Sequence, residues 1–356
     1  MPDPTLDALA RAAAALARLD QALAGHPLRP AFLYRSRLEA VRGQAAADGM
    51  LIDPWHLAAM LEGLRLRMDG ALRIIDRGAL FAAARHALDL HQWLTAPDFD
   101  QEGEIRAAQA ALAGHDATPL LAAAQGLHAW LGQGRGRAPM RAALVRFWMQ
   151  RGLVRAPVPL TGAAALRGDG DWEPAAWVPG FLRALAAETA DALGLLATME
   201  RAWLAARATV ADRRTTSRAA RAIDLLAAAP ALSASTLARR LGMAVNNATA
   251  LLDGFCAAGI AVEVSHRAKR RLFGLAGLAP LRDGTAAPRR PEPGRGRGRP
   301  PIPAADAPAP DTPPLPPVSP LERRAFDYGD LEADLAHLER VLRQTRRALD
   351  AHRRPT

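Results

Sequence analysis

The chain is poor in residues that mark several common protein classes. Its 356 residues include one cysteine, Cys256, so no internal disulfide can form and a reducing compartment is expected. Aromatic residues make up only 5%, while alanine and leucine dominate the 50% hydrophobic content, a balance that favours helices over sheets. No apolar run is long enough to span a membrane, and Met1-Pro-Asp-Pro4 leads into a helix interrupted by Arg11, Arg18 and Asp20 rather than into a signal peptide. The cytoplasm is the expected location, with no membrane partner. His86 and His91 are five residues apart and His26, His56, His115 and His128 are scattered, so no metal site is expected, and no cofactor. Lysine occurs once, as Lys269, and asparagine twice, as the adjacent pair Asn246 and Asn247.

What is present is arginine, placed unevenly. The formal net charge is +10, and residues 211–300 alone carry sixteen basic against six acidic side chains. The other 266 residues are therefore neutral overall. A charge excess confined to a quarter of the chain is the footprint of a polyanion-binding module, the alternative being a solvated basic surface.

Length allows at least two folded units. Apolar spacings of three and four predict helices near 5–24, 31–47, 55–66, 78–94, 102–113, 118–131 and 138–152, with Asp53-Pro54 a strong start signal. The Pro, Gly and Trp content of 155–180 suggests a packed loop, and a long helix over 181–208 leads toward the basic region. The expected organisation is a mostly α chain: a helical domain over 1–209, a winged helix-turn-helix over 211–283, a disordered Pro/Gly/Arg arm over 284–320 and a C-terminal amphipathic helix over 321–352. Leu331, Leu335, Leu338, Leu342, Thr345 and Leu349 form a short heptad seam on that last helix. Such a seam suits either docking back on its own protein or homodimerisation, for which the N-terminal domain is the other candidate.

Within the basic region, 221–229 reads as a first helix ended by Pro230. Ser233 caps a second over 234–240, Gly242 makes a left-handed turn, and a third runs over 245–258. The third presents Asn246, Asn247 and Thr249 near its amino end, where a helix-turn-helix contacts base edges in the major groove. Asparagine pairs with adenine in two places and threonine suits a base or a thymine methyl, although asparagine also caps helices. Residues 260–264 and 269–275 alternate as two strands of a wing. Arg239, Arg240, Arg267, Lys269, Arg270 and Arg271 are the expected phosphate contacts, which set affinity and register, and His266 in the turn is a further expected DNA-binding residue. In the arm, Arg295, Arg297 and Arg299 alternate with glycine before Pro300, an AT-hook-like core suited to a narrow A·T minor groove. The same run reads equally well as a Pro/Gly/Arg linker.

From Leu33-Tyr-Arg-Ser-Arg-Leu-Glu-Ala40 to Phe326-Asp-Tyr328 the chain resembles an uncharacterised bacterial family pairing an N-terminal domain of unknown function with a C-terminal helix-turn-helix. That resemblance implies DNA binding and supplies no chemistry for the N-terminal half; the expected function is that of a transcriptional regulator with double-stranded DNA as partner. A more distant likeness is to Fic-domain proteins, nucleotidyl transferases whose motif runs His-Pro-Phe-x-acid-Gly-Asn-Gly-Arg-x-x-Arg. Here the corresponding segment is His128-Ala-Trp-Leu-Gly-Gln-Gly-Arg135. Carried over, His128 is the base, Gly132, Gln133 and Gly134 the anion turn and Arg135 a phosphate contact. The segment is one residue short, lacks the metal-binding acid and has Gln133 in place of asparagine. Without that carboxylate, nothing nearby holds a metal-bound pyrophosphate, and a catalytically degenerate relative is expected.

Overall fold

Alanine and leucine at helical spacing build most of the molecule. A computed structural model describes residues 4–52, 54–63, 77–167, 172–210, 218–267 and 269–279. All of these fall within one compact unit, residues 1–290. The arm with Arg295, Arg297 and Arg299, and the heptad seam of 331–349, lie outside the described residues.

The chain is mostly helical. Its first half contains α1 (Pro4–Leu23), α2 (Arg29–Ala47), α3 (Pro54–Leu61), α4 (Arg77–Thr95), α5 (Phe99–Ala113), α6 (Pro119–Gly132) and α7 (Arg137–Gln150). A 3-10 turn (Ala163–Leu166) precedes the 35-residue α8 (Pro174–Ala208). Local chemistry sets several of these boundaries. Asp98 accepts from Gln101 N while the Gln101 side chain accepts from Asp98 N, a reciprocal cap that starts α5 three residues before apolar spacing alone predicts. The long helix begins at Pro174 rather than near 181. Pro179 costs it one backbone bond, and burial of Trp177, Phe181, Leu182 and Leu185 outweighs that loss. Among the described residues no helix is long and apolar enough to cross a membrane.

The remaining elements are α9 (Ala219–Ala228), β1 (Leu232–Ser233), α10 (Ala234–Leu241), α11 (Val245–Ala257), β2 (Ala261–Glu263) and β3 (Leu272–Leu275). The strands form one antiparallel sheet in the order β1-β3-β2, with Leu232 opposite Phe273 and Val262 opposite Gly274. All four residues of the central strand are buried. Gly274 is required there: a Cβ would lie 2.5 Å from Ala279 Cβ and 2.7 Å from Pro230 O.

Two clusters of buried side chains cross from the first half of the chain into this last part. One joins α1, α6, α7 and α8 to Ile223, Leu237, Leu252, Phe255 and Leu275. The other joins Leu38, Val41, Leu57 and Leu90 to Ala231, Val264 and Leu272. The two parts thus share buried apolar surface, and α8 is not their sole connection.

Candidate functional site

The segment 219–275 is held from behind by three polar clamps. Arg35 on α2, 2% exposed, donates to Ala227 O at 2.6 Å, Leu278 O at 3.2 Å and Leu226 O at 3.3 Å. A cation thus sits at the carboxyl end of α9, where carbonyls lack helical partners and the helix dipole is negative. Burial pulls the Arg35 guanidinium down to about 9, which leaves it charged at neutral pH. On α8, Trp203 Nε1 donates to Asp224 Oδ1 at 2.7 Å, and Arg207 grips the same carboxylate with bonds of 3.0 and 3.2 Å. Just beyond α3, Glu62 Oε2 accepts from Ser233 Oγ at 3.0 Å and Thr236 Oγ1 at 2.7 Å, placing a carboxylate at the amino end of α10.

The α10–α11 turn follows from local rules. Ser233 Oγ accepts from Thr236 N at 3.1 Å to start α10, and Gly242 at φ 60° ends it. Ala244 then leads into α11, whose Ala248, Leu252 and Phe255 are buried. At about 100° per residue these three define the inward face and leave Asn246 near the centre of the outward one. Asn246 and Asn247 are exposed. Asn247 leans toward the amino end of α9, sharing a depression with Arg218. Thr249 leans the other way and donates its hydroxyl to Val245 O at 3.0 Å.

The hairpin between β2 and β3 is shaped by Glu263, whose carboxylate accepts from Ser265 N at 2.8 Å, His266 N at 3.0 Å and the Ser265 hydroxyl. His266 and Arg270 take left-handed backbone conformations, at φ 49° and 53°. Lys269 and Arg270 are exposed, while His266, Arg267 and Arg271 are half-buried. Arg271 is committed to the fold: it pairs with Asp253 of α11 at 2.8 Å and lies over the Phe273 ring at 5.0 Å. Arg239 and Arg240 are exposed in the last turn of α10, where cations also stabilise the helix end. Sequence reasoning placed these groups but missed Arg218, Arg35, Glu62, Asp224 and Asp253. Arg218 was legible as one more cation of the basic region, whereas the others acquire meaning only through distant partners.

The segment 128–135 is arranged differently. His128 lies within α6, its Nε2 2.8 Å from Trp172 O, and its ring stacks on Trp172 with centroids 4.6 Å apart. A carbonyl partner requires Nε2 to carry the proton, so that nitrogen is a donor there. The Gln133 and Gly134 amides donate to Ala129 O and Leu131 O, closing α6. Arg135 lies over the Trp130 ring at 4.6 Å, and Trp130 Nε1 donates to Gly136 O at 2.7 Å. Gly132, Gln133 and Gly134 thus form an exposed helix end. Among the described residues, no group of three or more His, Cys, Asp or Glu side chains is placed to hold a metal ion.

A half-buried glutamate lies elsewhere, where α8 meets the 3-10 turn. Glu188 Oε2 accepts from Thr161 N at 2.9 Å and Gly162 N at 2.6 Å, and burial pushes its carboxyl up to about 7. Nearby, Arg141, 1% exposed, binds Asp48 through both terminal nitrogens, at 2.7 and 2.8 Å. Burial alone would raise the Asp48 carboxyl, but Arg141, His86 and Arg137 hold it below the usual range.

No protein-family model matches the chain, and neither does any curated protein.

Proposed function

We propose that the chain is a double-stranded DNA-binding protein, a transcriptional regulator, in which residues 219–279 act as a winged helix-turn-helix. The observation that carries this reading is the outward face of α11: Asn246 near its centre, exposed, with the β2–β3 hairpin tied to the same helix through Arg271 and Asp253 and bearing exposed Lys269 and Arg270. The helix order, the Gly242 turn and the β1-β3-β2 sheet are those such a module needs. In this reading α11 enters the major groove and Asn246 pairs with an adenine edge, with Thr249 offering its lone pairs to a neighbouring base. Arg239, Arg240, Arg267, Lys269 and Arg270 face phosphates, while Arg271 braces the wing against α11. The arm adds a minor-groove contact through Arg295, Arg297 and Arg299. The helical half fixes the orientation of α9 and α10, leaving α11 and the hairpin tip to the duplex.

The arrangement at His128 works against nucleotidyl transfer. Donation to Trp172 O takes up Nε2 of His128 and leaves Nδ1 as the ring's acceptor, and turn amides spent on α6 carbonyls cannot cradle phosphate.

The test is selection of bound fragments from a randomised duplex library by the full chain, repeated with Asn246→Ala. The wild type is expected to enrich a defined motif and the variant to relax preference at one position. Failure of the wild type to retain any duplex at low salt would overturn the reading.

A further inference from the structure

Beside the outward face of α11 lies an open depression of about 720 Å³. Its apolar lining includes Met243, Ala250 and Leu251, and its polar lining includes Arg218 and Asn247. Arg218 Nη1 donates to Gly242 O at 2.5 Å, which fixes the guanidinium against the α10–α11 turn. That acceptor is a neutral carbonyl, so the bond orients the charge without cancelling it, and the guanidinium has further donors to offer. Asn247, Ala250 and Leu251 are spaced by three and four on one flank of α11. Asn247 therefore belongs to this depression, and Asn246 to the neighbouring outward face.

We infer that this depression seats a phosphodiester of the DNA backbone, with Arg218 and Asn247 as positioning contacts rather than base readers. The inference rests on the DNA-binding reading and deepens it. A sugar fits the apolar part of the lining, and a phosphate oxygen accepts from the Arg218 and Asn247 N–H groups. The open form suits a strand passing over the surface better than a small molecule, which needs most of its own surface enclosed. The surface is continuous with the face carrying Asn246, one residue away, as a strand flanking the groove requires. Of the two adjacent asparagines one thus sets sequence preference and the other register.

The experiment measures binding of the full chain to its selected duplex and to a shuffled duplex across a salt series, for the wild type, Arg218→Gln, Arg218→Lys, Asn247→Ala and Asn246→Ala. Arg218→Gln is expected to weaken both duplexes by the same factor, about tenfold, and to reduce the slope of log affinity against log salt by about one. Arg218→Lys, which keeps the charge, restores the slope. Asn247→Ala weakens both duplexes equally and leaves the selected motif unchanged, whereas Asn246→Ala narrows the discrimination between them by relaxing one position of the motif. All variants are checked for an unaltered thermal midpoint, and Arg218 is exposed, so folding is not the expected casualty. An unchanged slope in a folded Arg218→Gln, or altered base preference in Asn247→Ala, overturns the inference while leaving DNA binding intact. Absence of duplex binding by the wild type overturns the functional reading and this inference with it.

Discussion

Replacing Arg35 with methionine removes the guanidinium that closes the end of α9. Three carbonyls, those of Leu226, Ala227 and Leu278, lose their donor at a position 2% exposed. Hydrogen bonds to a charged donor contribute roughly 1.5–3 kcal/mol each, but the cost of burying the cation offsets part of that sum. The lowered Arg35 pKa reports that same cost. Methionine refills much of the volume and removes the buried charge, but leaves the carbonyls unpaired. Leaving a buried neutral acceptor unpaired costs about 1–3 kcal/mol, and with three carbonyls affected but the buried charge removed, a net loss of about 3 kcal/mol is expected. Arg35→Lys should fall between the two, because an ammonium keeps the charge but cannot reach all three acceptors with a planar fork. The assay is urea unfolding of the full chain, with midpoint and slope measured together, since a changed slope would signal loss of cooperativity between the two parts. A midpoint for Arg35→Met within about 0.5 kcal/mol of the wild type, the range of ordinary surface substitutions, would refute the capping role.

Three other outcomes follow from named contacts. Gly274→Ala places a methyl 2.5 Å from Ala279 Cβ and should destabilise the chain by roughly 1–3 kcal/mol, read from the same unfolding curve. Glu62→Gln keeps the shape but removes a carboxylate from the amino end of α10, with an expected loss of about 1 kcal/mol that shrinks at high salt. Glu188 has a folded-state pKa near 7, raised above the ordinary 4.5, so the unfolded chain releases its proton first as pH rises. The contribution of this group is therefore complete below about pH 4.5 and lost by about pH 7, whereas Glu188→Gln, which keeps the acceptor oxygen, should flatten that part of the stability profile.

Elements whose causes are local were readable from the chain alone. The Ser233 cap and the Gly242 turn depend on residues a few positions apart, and the structure places both where their chemistry requires. The alternation of 260–264 and 269–275 likewise yields β2 and β3. By contrast, β1 is only two residues long, too short to show alternation, and exists because β3 offers it an edge. The start of α8 was read too late because Pro179 looks like loop chemistry until the burial of its neighbours is known. Arg35 is 192 residues from Ala227, and Glu62 is 171 from Ser233. In sequence each is an ordinary charge on or beside a helix, and its role appears only when the fold supplies the partner.

The surface proposed for DNA was picked out in the sequence by the basic region and the Asn-Asn-x-Thr segment. Sequence alone treats Asn246 and Asn247 alike. Helical geometry separates them by about 100°, toward the outward face and the Arg218 depression respectively. Arg271, one of six expected phosphate contacts, is tied to Asp253. This interaction orients the hairpin relative to α11.

The central claim, that α11 reads duplex DNA through Asn246, is tested most directly by comparing the motifs that the wild-type chain and Asn246→Ala enrich from one randomised duplex pool at fixed salt. The account predicts a defined wild-type motif and a variant that still binds but accepts other bases at a single position. An identical motif from both proteins, or no enrichment by the wild type, would contradict it.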